Sequence, residues 1–155
     1  MKFLGVIFTI YILHITCYGQ IKTDHQKAIT MLKTYYNEHT KVWEYKDTES
    51  PDVFDKKLDA LQLRYCTKKL RSFSQKVIAD RGTDVLTNYM GIDITSIKTM
   101  TIVKYPVKKN IYIVSYDTFI MISSTEAQRQ HVILHVGVVK AGNDYKIASV
   151  DGYPE

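Results

Sequence analysis

Asp117 is the residue whose type and position could most directly support chemistry. It interrupts the most apolar stretch of the chain, residues 111–122, and Tyr112 and Tyr116 lie close to it in sequence. A carboxylate buried in such a stretch must be paired or have its pKa raised. With a raised pKa and tyrosine donors it could shuttle a proton. On a strand, however, Asp117 and Tyr116 point to opposite faces, which weakens this interpretation.

His131 and His135 are the second pair of candidates. Imidazoles are common zinc ligands, but four residues of a strand separate the two side chains by about 13 Å, too far to share one ion. The sequence also contains no Gly-rich phosphate loop, nucleophile elbow or Cys-x-x-Cys motif. It therefore predicts no metal site and no cofactor.

Four strands must position these residues. Residues 97–105, 111–122, 129–140 and 145–150 are rich in β-branched and aromatic side chains, which favours strands. Turns of about two to six residues join them, so neighbouring strands must run antiparallel. Pro106 ends the first strand, and Gly142 and Asn143 suit a tight turn before the last one.

A period of two assigns the faces of this sheet. The apolar even positions of the third strand predict the face that the helices cover: Val132, Leu134, Val136 and Val138. The opposite face of the central strand carries Ile111, Ile113 and Phe119 and is apolar as well. Such a face needs cover, either from the helices curling around it or from a second subunit.

The first helix is predicted to begin near Thr23. Thr23 and Gln26 have capping-box spacing, and a wide apolar stripe follows that includes His39 and Val42. Trp43 near the end of this helix is interpreted as a core anchor, with a place in a pocket wall as the alternative.

Two shorter helices follow, and then a loop. The second helix is expected from Asp52, and the third from an N-cap at Thr67 to a stop at Gly82. Cys66 lies at the corner between them, where we expect a small buried residue rather than a reactive thiol. Residues 83–96 lack a clear period and are interpreted as a structured loop or an edge strand leading into the sheet.

Residues 1–19 have the pattern of a secretory signal peptide: a positive start, an apolar run, and small residues before Gln20. The run is shorter than the roughly 20 apolar residues that span a bilayer. The predicted mature domain is residues 20–155, exported to the periplasm or the extracellular space. In an alternative interpretation Cys17 is a lipid acceptor, which would tether the protein to a membrane.

Composition limits the partners of this domain. Without residues 1–19 it has 20 Lys and Arg against 16 Asp and Glu, with no basic block. Nucleic-acid binding needs a denser basic stripe, so we expect none. Cys66 is then the sole thiol, and an exported domain without disulfides depends on its core.

The order of predicted elements, helices first and then antiparallel strands, resembles the cystatin-like α+β cone of the nuclear-transport-factor-two-like superfamily. Within that superfamily it resembles an uncharacterised branch of exported bacterial domains. The resemblance rests on the Tyr-Cys-Thr motif at residues 65–67 with Leu70, on residues 84–93, on the strand at 111–116 and on the closing segment 145–150. It implies helices packed on a curved four-stranded antiparallel sheet, with a cavity at the open end of the cone. The catalytic motifs of the superfamily's enzymes are missing.

Two classes of function follow. The first is an exported non-enzymatic binding module that holds a small apolar ligand in the cone or docks a protein on the sheet, for example as an immunity-type protein or a homodimer. Twelve tyrosines favour it, because tyrosine suits interfaces. The alternative is a small isomerase- or dehydratase-like enzyme that uses Asp117. The residues expected to bind a ligand or partner are Trp43, Tyr112, Tyr116, Phe119, His131 and His135.

Overall fold

The computed structural model describes residues 3–46, 48–87, 92–121, 126–151 and 153–154, with the backbone alone for residues 3–23 and 121. Four helices precede four strands. The helices are α1 (Phe3–Glu44), α2 (Pro51–Tyr65), α3 (Lys68–Arg81) and α4 (Ile94–Thr99). The strands are β1 (Thr101–Lys104), β2 (Ile111–Met121), β3 (Ala127–Ala141) and β4 (Asp144–Val150).

The strands form one antiparallel sheet in the order β1-β2-β3-β4, which confirms the predicted α+β fold. β2 and β3 pair along the whole of β2, from Ile111 opposite Gly137 to Met121 opposite Ala127. β1 pairs only with residues 112–115 of β2, and β4 only with residues 136–141 of β3. Beyond these pairings β2 and β3 continue as a two-stranded ribbon.

One face of the sheet, called the inner face here, carries the core. The even positions of β3 that the sequence predicts to face the helices are buried. Tyr35 and Tyr36 of α1 and Leu70 of α3 are fully buried in the same cluster. Partners in this cluster from β2 and β4 are Tyr112, Val114, Tyr116, Ile147 and Val150. The helices therefore cover the inner face, as period-two alternation predicts.

The prediction for residues 83–99 is wrong in part. Residues 94–99 form α4 instead of loop and strand, and β1 begins only at Thr101. The cause is local: the side chain of Asp93 accepts a hydrogen bond from the backbone N–H of Ser96. That bond satisfies a first-turn donor and starts a helix, although isoleucine and threonine at these positions favour strands.

The helix boundaries predicted from the sequence are correct at the α2–α3 corner but wrong at Thr23. The Thr67 side chain caps α3 by accepting from the Leu70 N–H, and Gly82 ends that helix with a φ of 64°. α1 runs through Thr23 without a break, so this residue does not start a helix in the full chain. Within the described residues, no helix is both long enough and apolar enough to cross a membrane.

Truncation of Leu134, which is fully buried, tests the assignment of the faces. We expect Leu134→Ala to lower the free energy of unfolding by about 2–5 kcal/mol, because it leaves a cavity in the core. Ile133→Ala, one residue away and 54% exposed, is the matched control and should change it by about 0.5 kcal/mol or less. Urea denaturation measures both values. Equal effects for the two variants would show that the faces are assigned wrongly.

Candidate functional site

The face of the sheet opposite to the helices, the outer face, carries large apolar side chains in the open. Val103 is 51% exposed, Phe119 is 58% exposed and Ile133 is 54% exposed. The strand register places Ile133 opposite Ser115 and Val103 opposite Ile113. Three strands therefore contribute apolar side chains to one face, on which Asp117 and His131 lie between Phe119 and Ile133.

Asp117 lies on this outer face within a network of charged groups. Its Oδ1 is 2.8 Å from His131 Nδ1, and its Oδ2 is 2.5 Å from Arg129 Nη2. Its backbone N–H donates to Thr99 Oγ1. The hydrogen bond from Arg129, followed by that from His131, holds the pKa of Asp117 below its usual value. Asp117 is therefore an ionised, paired carboxylate.

The tyrosines that the sequence analysis grouped with Asp117 lie on the inner face. Tyr116 is buried and donates its hydroxyl proton to the Thr87 carbonyl. Tyr112 is also buried, and its hydroxyl lies 3.2 Å from His25 Nδ1 in a cavity of about 500 Å³. The sheet therefore separates Asp117 from both tyrosines, and the pKa of Asp117 is lowered where proton transfer would require it raised.

His135 and His131 make separate contacts on the outer face. The backbone N–H of His135 donates to Asp151 Oδ1, and its ring meets Tyr105 edge-on at 5.4 Å between centroids. His131 instead contacts Asp117. Among the described residues there is no group of three or more His, Cys, Asp or Glu side chains that could hold a metal ion.

Trp43 lies between helices, away from the sheet. Its ring meets Phe54 of α2 edge-on at 5.3 Å and stacks on His39 at 5.8 Å, and Lys46 Nζ lies 4.6 Å from its centroid. It is only partly buried. Trp43 therefore helps to join α1 to α2, but it lies outside the buried cluster in which a core anchor was expected.

Sequence reasoning missed a fully buried pair of hydrogen-bonded polar side chains, His39 and Asp84. His39 Nε2 lies 2.5 Å from Asp84 Oδ2, and both side chains have zero exposure. Asp84 Oδ1 also accepts from the Leu86 N–H. The available signal was His39 on the apolar stripe of α1, because a histidine buried there needs a polar partner. The pair fastens residues 84–86 to α1.

Cys66 is buried at the corner between α2 and α3, where its backbone N–H donates to the Gln62 carbonyl. Burial raises the pKa of its thiol well above the ordinary value. A protonated, inaccessible thiol is a poor nucleophile. This agrees with the expectation of a small buried residue.

No family model and no curated protein matches the chain. It is similar in structure to a protein of unknown function from Bacteroides thetaiotaomicron, with a TM-score of 0.70 and 17% sequence identity. The match covers 86% of this chain and 95% of the other. At this identity the likeness shows a shared fold.

Removal of the Asp84 carboxylate tests the buried pair. We expect Asp84→Ala to lower the free energy of unfolding by about 3–5 kcal/mol, because His39 and the Leu86 N–H lose their partner away from water. Asp55→Ala, on the exposed surface of α2, is the control and should cost less than about 0.5 kcal/mol. Chemical denaturation measures both. A cost for Asp84→Ala as small as that of the control would contradict a buried pair.

Titration of Asp117 tests its ion pairs. Because its folded pKa is lowered, pairing stabilises the fold above the unfolded pKa of about 3.9 and is lost as the pH falls through the folded pKa. Carboxyl NMR should give a midpoint below about 3.9, and Arg129→Gln should raise it. Arg71→Gln, which removes an arginine paired with Asp59, should leave it unchanged. A midpoint above about 5 would instead fit the proton-transfer hypothesis.

Proposed function

We propose that this protein is an exported, non-enzymatic binding module that docks a partner protein on the outer face of its sheet. One observation carries the proposal: Phe119, Ile133 and Val103 are each more than half exposed on a single surface. Single exposed apolar residues are ordinary, but here three strands each contribute one to the same sheet face. Asp117 and Arg129 lie among them, so the surface combines apolar groups with a paired charge.

The packing of the inner face favours a protein partner over the small apolar ligand of the sequence analysis. Side chains of α1 and the strands fill the interior, among them Tyr35, Tyr36 and Tyr116 with zero to 1% exposure. These side chains therefore fill the centre of the inner face. The apolar surface that lacks cover lies on the other side of the sheet.

The edge of the two-stranded ribbon adds a second contact element. The N–H and C=O of His135 point to the β4 side, where they bond to Asp151. In an antiparallel strand, alternate residues repeat this direction, so the backbone groups of Ile133, His131 and Arg129 point to the same side beyond the last β3–β4 pair. An edge of this kind suits an added strand of a partner.

Export is part of the proposal. Export is supported by the signal-peptide pattern of residues 1–19. In the alternative, Cys17 is lipidated and anchors the protein to a membrane. Membership of the nuclear-transport-factor-two-like superfamily is likewise proposed, supported by helices that precede a four-stranded antiparallel sheet. If the protein is of the immunity type, its partner protein must be present in the same compartment.

Aspartate substitutions on the outer face test the docking. Phe119→Asp and Ile133→Asp should each weaken association more than about tenfold, because a buried unpaired charge opposes docking. Leu63→Asp is the matched control, because Leu63 of α2 is also 58% exposed and lies outside the outer face. Light scattering measures association with a second copy. A photo-crosslinking residue at position 119, compared with one at position 63 in cells of the native host, detects another partner.

Either a homodimer lost with Phe119→Asp or a crosslink specific to position 119 supports the proposal. A monomeric protein without such a crosslink contradicts it. Turnover of a substrate that is lost in Asp117→Asn would then favour the isomerase- or dehydratase-like enzyme.

A further inference from the structure

A cavity of about 500 Å³ opens on the inner side of the sheet, where α1 passes the β1–β2 and β3–β4 turns. Its volume lies within the range of small-molecule sites. Tyr112 and Val138, both buried, form its apolar wall. Polar side chains from α1, β1 and the two turns surround them. The cavity is thus built from segments distant in sequence.

A chain of hydrogen bonds fixes the orientation of His25 in this cavity. Lys104 Nζ is 2.9 Å from His25 Nε2, and His25 Nδ1 is 3.2 Å from the Tyr112 hydroxyl. An ammonium group can only donate, so Nε2 must accept and Nδ1 must carry the proton. The Tyr112 oxygen then accepts from Nδ1, and its own proton is left to donate elsewhere.

Tyr145 places a second buried hydroxyl beside the Asp24 carboxylate. Burial raises the pKa of Tyr145 to about 12, and its interaction with Asp24 adds to the rise. Burial also raises the pKa of Tyr112. Both tyrosines therefore keep their protons at neutral pH.

The charge balance of the cavity is positive. Lys104, Lys109 and Lys140 line it together with a single carboxylate, that of Asp24. Lys140 Nζ lies 3.6 Å from Asp24 Oδ2, so the carboxylate already has a cationic partner. Lys109 makes no ion pair with a residue that the structure describes. A cavity rich in donors and cations, with its one carboxylate engaged, favours an anion over a cation.

We propose that this cavity binds a small organic molecule through a carboxylate or phosphate group held by Lys104, Lys109 and the Tyr112 hydroxyl. The apolar part of such a ligand would contact Val138 and the tyrosine rings. The site lies on the opposite side of the sheet from Phe119 and Ile133. It is therefore independent of partner docking on the outer face, and each proposal can fail alone.

Titration of the purified protein with two simple anions tests the site. Sodium phosphate and sodium acetate are added separately at constant ionic strength set by sodium chloride, and binding is followed by NMR at the His25 ring and at the Tyr112 backbone. We expect saturable binding of at least one anion. Lys104→Gln and Lys109→Gln should each weaken it about fivefold or more, because each removes a charge-assisted hydrogen bond. The anion that saturates identifies the ligand group as phosphate or carboxylate.

Two further variants make the outcome specific. Lys33→Gln removes the same charge from an exposed position of α1 outside the cavity and should leave affinity unchanged. Tyr112→Phe removes one hydroxyl without altering charge and should weaken binding. Failure of both anions to saturate would overturn the proposal. It would also be overturned if Lys33→Gln weakened binding as much as Lys109→Gln, because the attraction would then be non-specific.

Discussion

Adjacent side chains of a strand point to opposite faces, and in the described chain the helices cover one face of this sheet. Most features of the molecule depend on that constraint. Val114 and Leu134 are fully buried beneath the helices, whereas Phe119 and Ile133 on the same two strands are exposed. The constraint also divides the polar residues: Asp117 lies with Arg129 and His131 on one side, and Tyr112 lies with His25 on the other. Two separate groups of polar residues result, one on each face of the sheet.

Hydrogen bonds from buried side chains hold the irregular segment before the sheet. Residues 84–87 belong to none of the four strands of the sheet, and their buried backbone groups must still be satisfied. Tyr36 donates to the Leu86 carbonyl, Tyr116 donates to the Thr87 carbonyl, and Asp84 accepts from the Leu86 N–H. These tyrosines are thus used inside the fold. A count of tyrosines in the sequence is therefore a weaker sign of an interface than their position on the sheet.

Sequence reasoning succeeded where a repeating apolar pattern determines the structure. It failed where a local helix cap competes with strand propensity, and where a contact joins segments distant in sequence. The faces of β3 follow from alternation alone. The α4 helix does not, because the Asp93 cap competes with strand-forming side chains around it. His39 was visible on its helical stripe, but Asp84 lies 45 positions away. The contact between His25 and Lys104 spans 79 positions. Neither partner can be identified without the fold.

The charges of the outer face are arranged so that a partner can bury them at a moderate cost. Transfer of a lone carboxylate out of water is expensive, whereas a carboxylate already paired with an arginine and hydrogen-bonded on both oxygens loses less. Asp117 is in this position before any partner binds. The opposite charges of Asp117 and Arg129 also cancel, so the exposed apolar groups lie beside a formally neutral pair. Pairing with Arg129 and His131 keeps Asp117 ionised and makes it a poor proton donor. The same pairing makes the surrounding surface easier to desolvate.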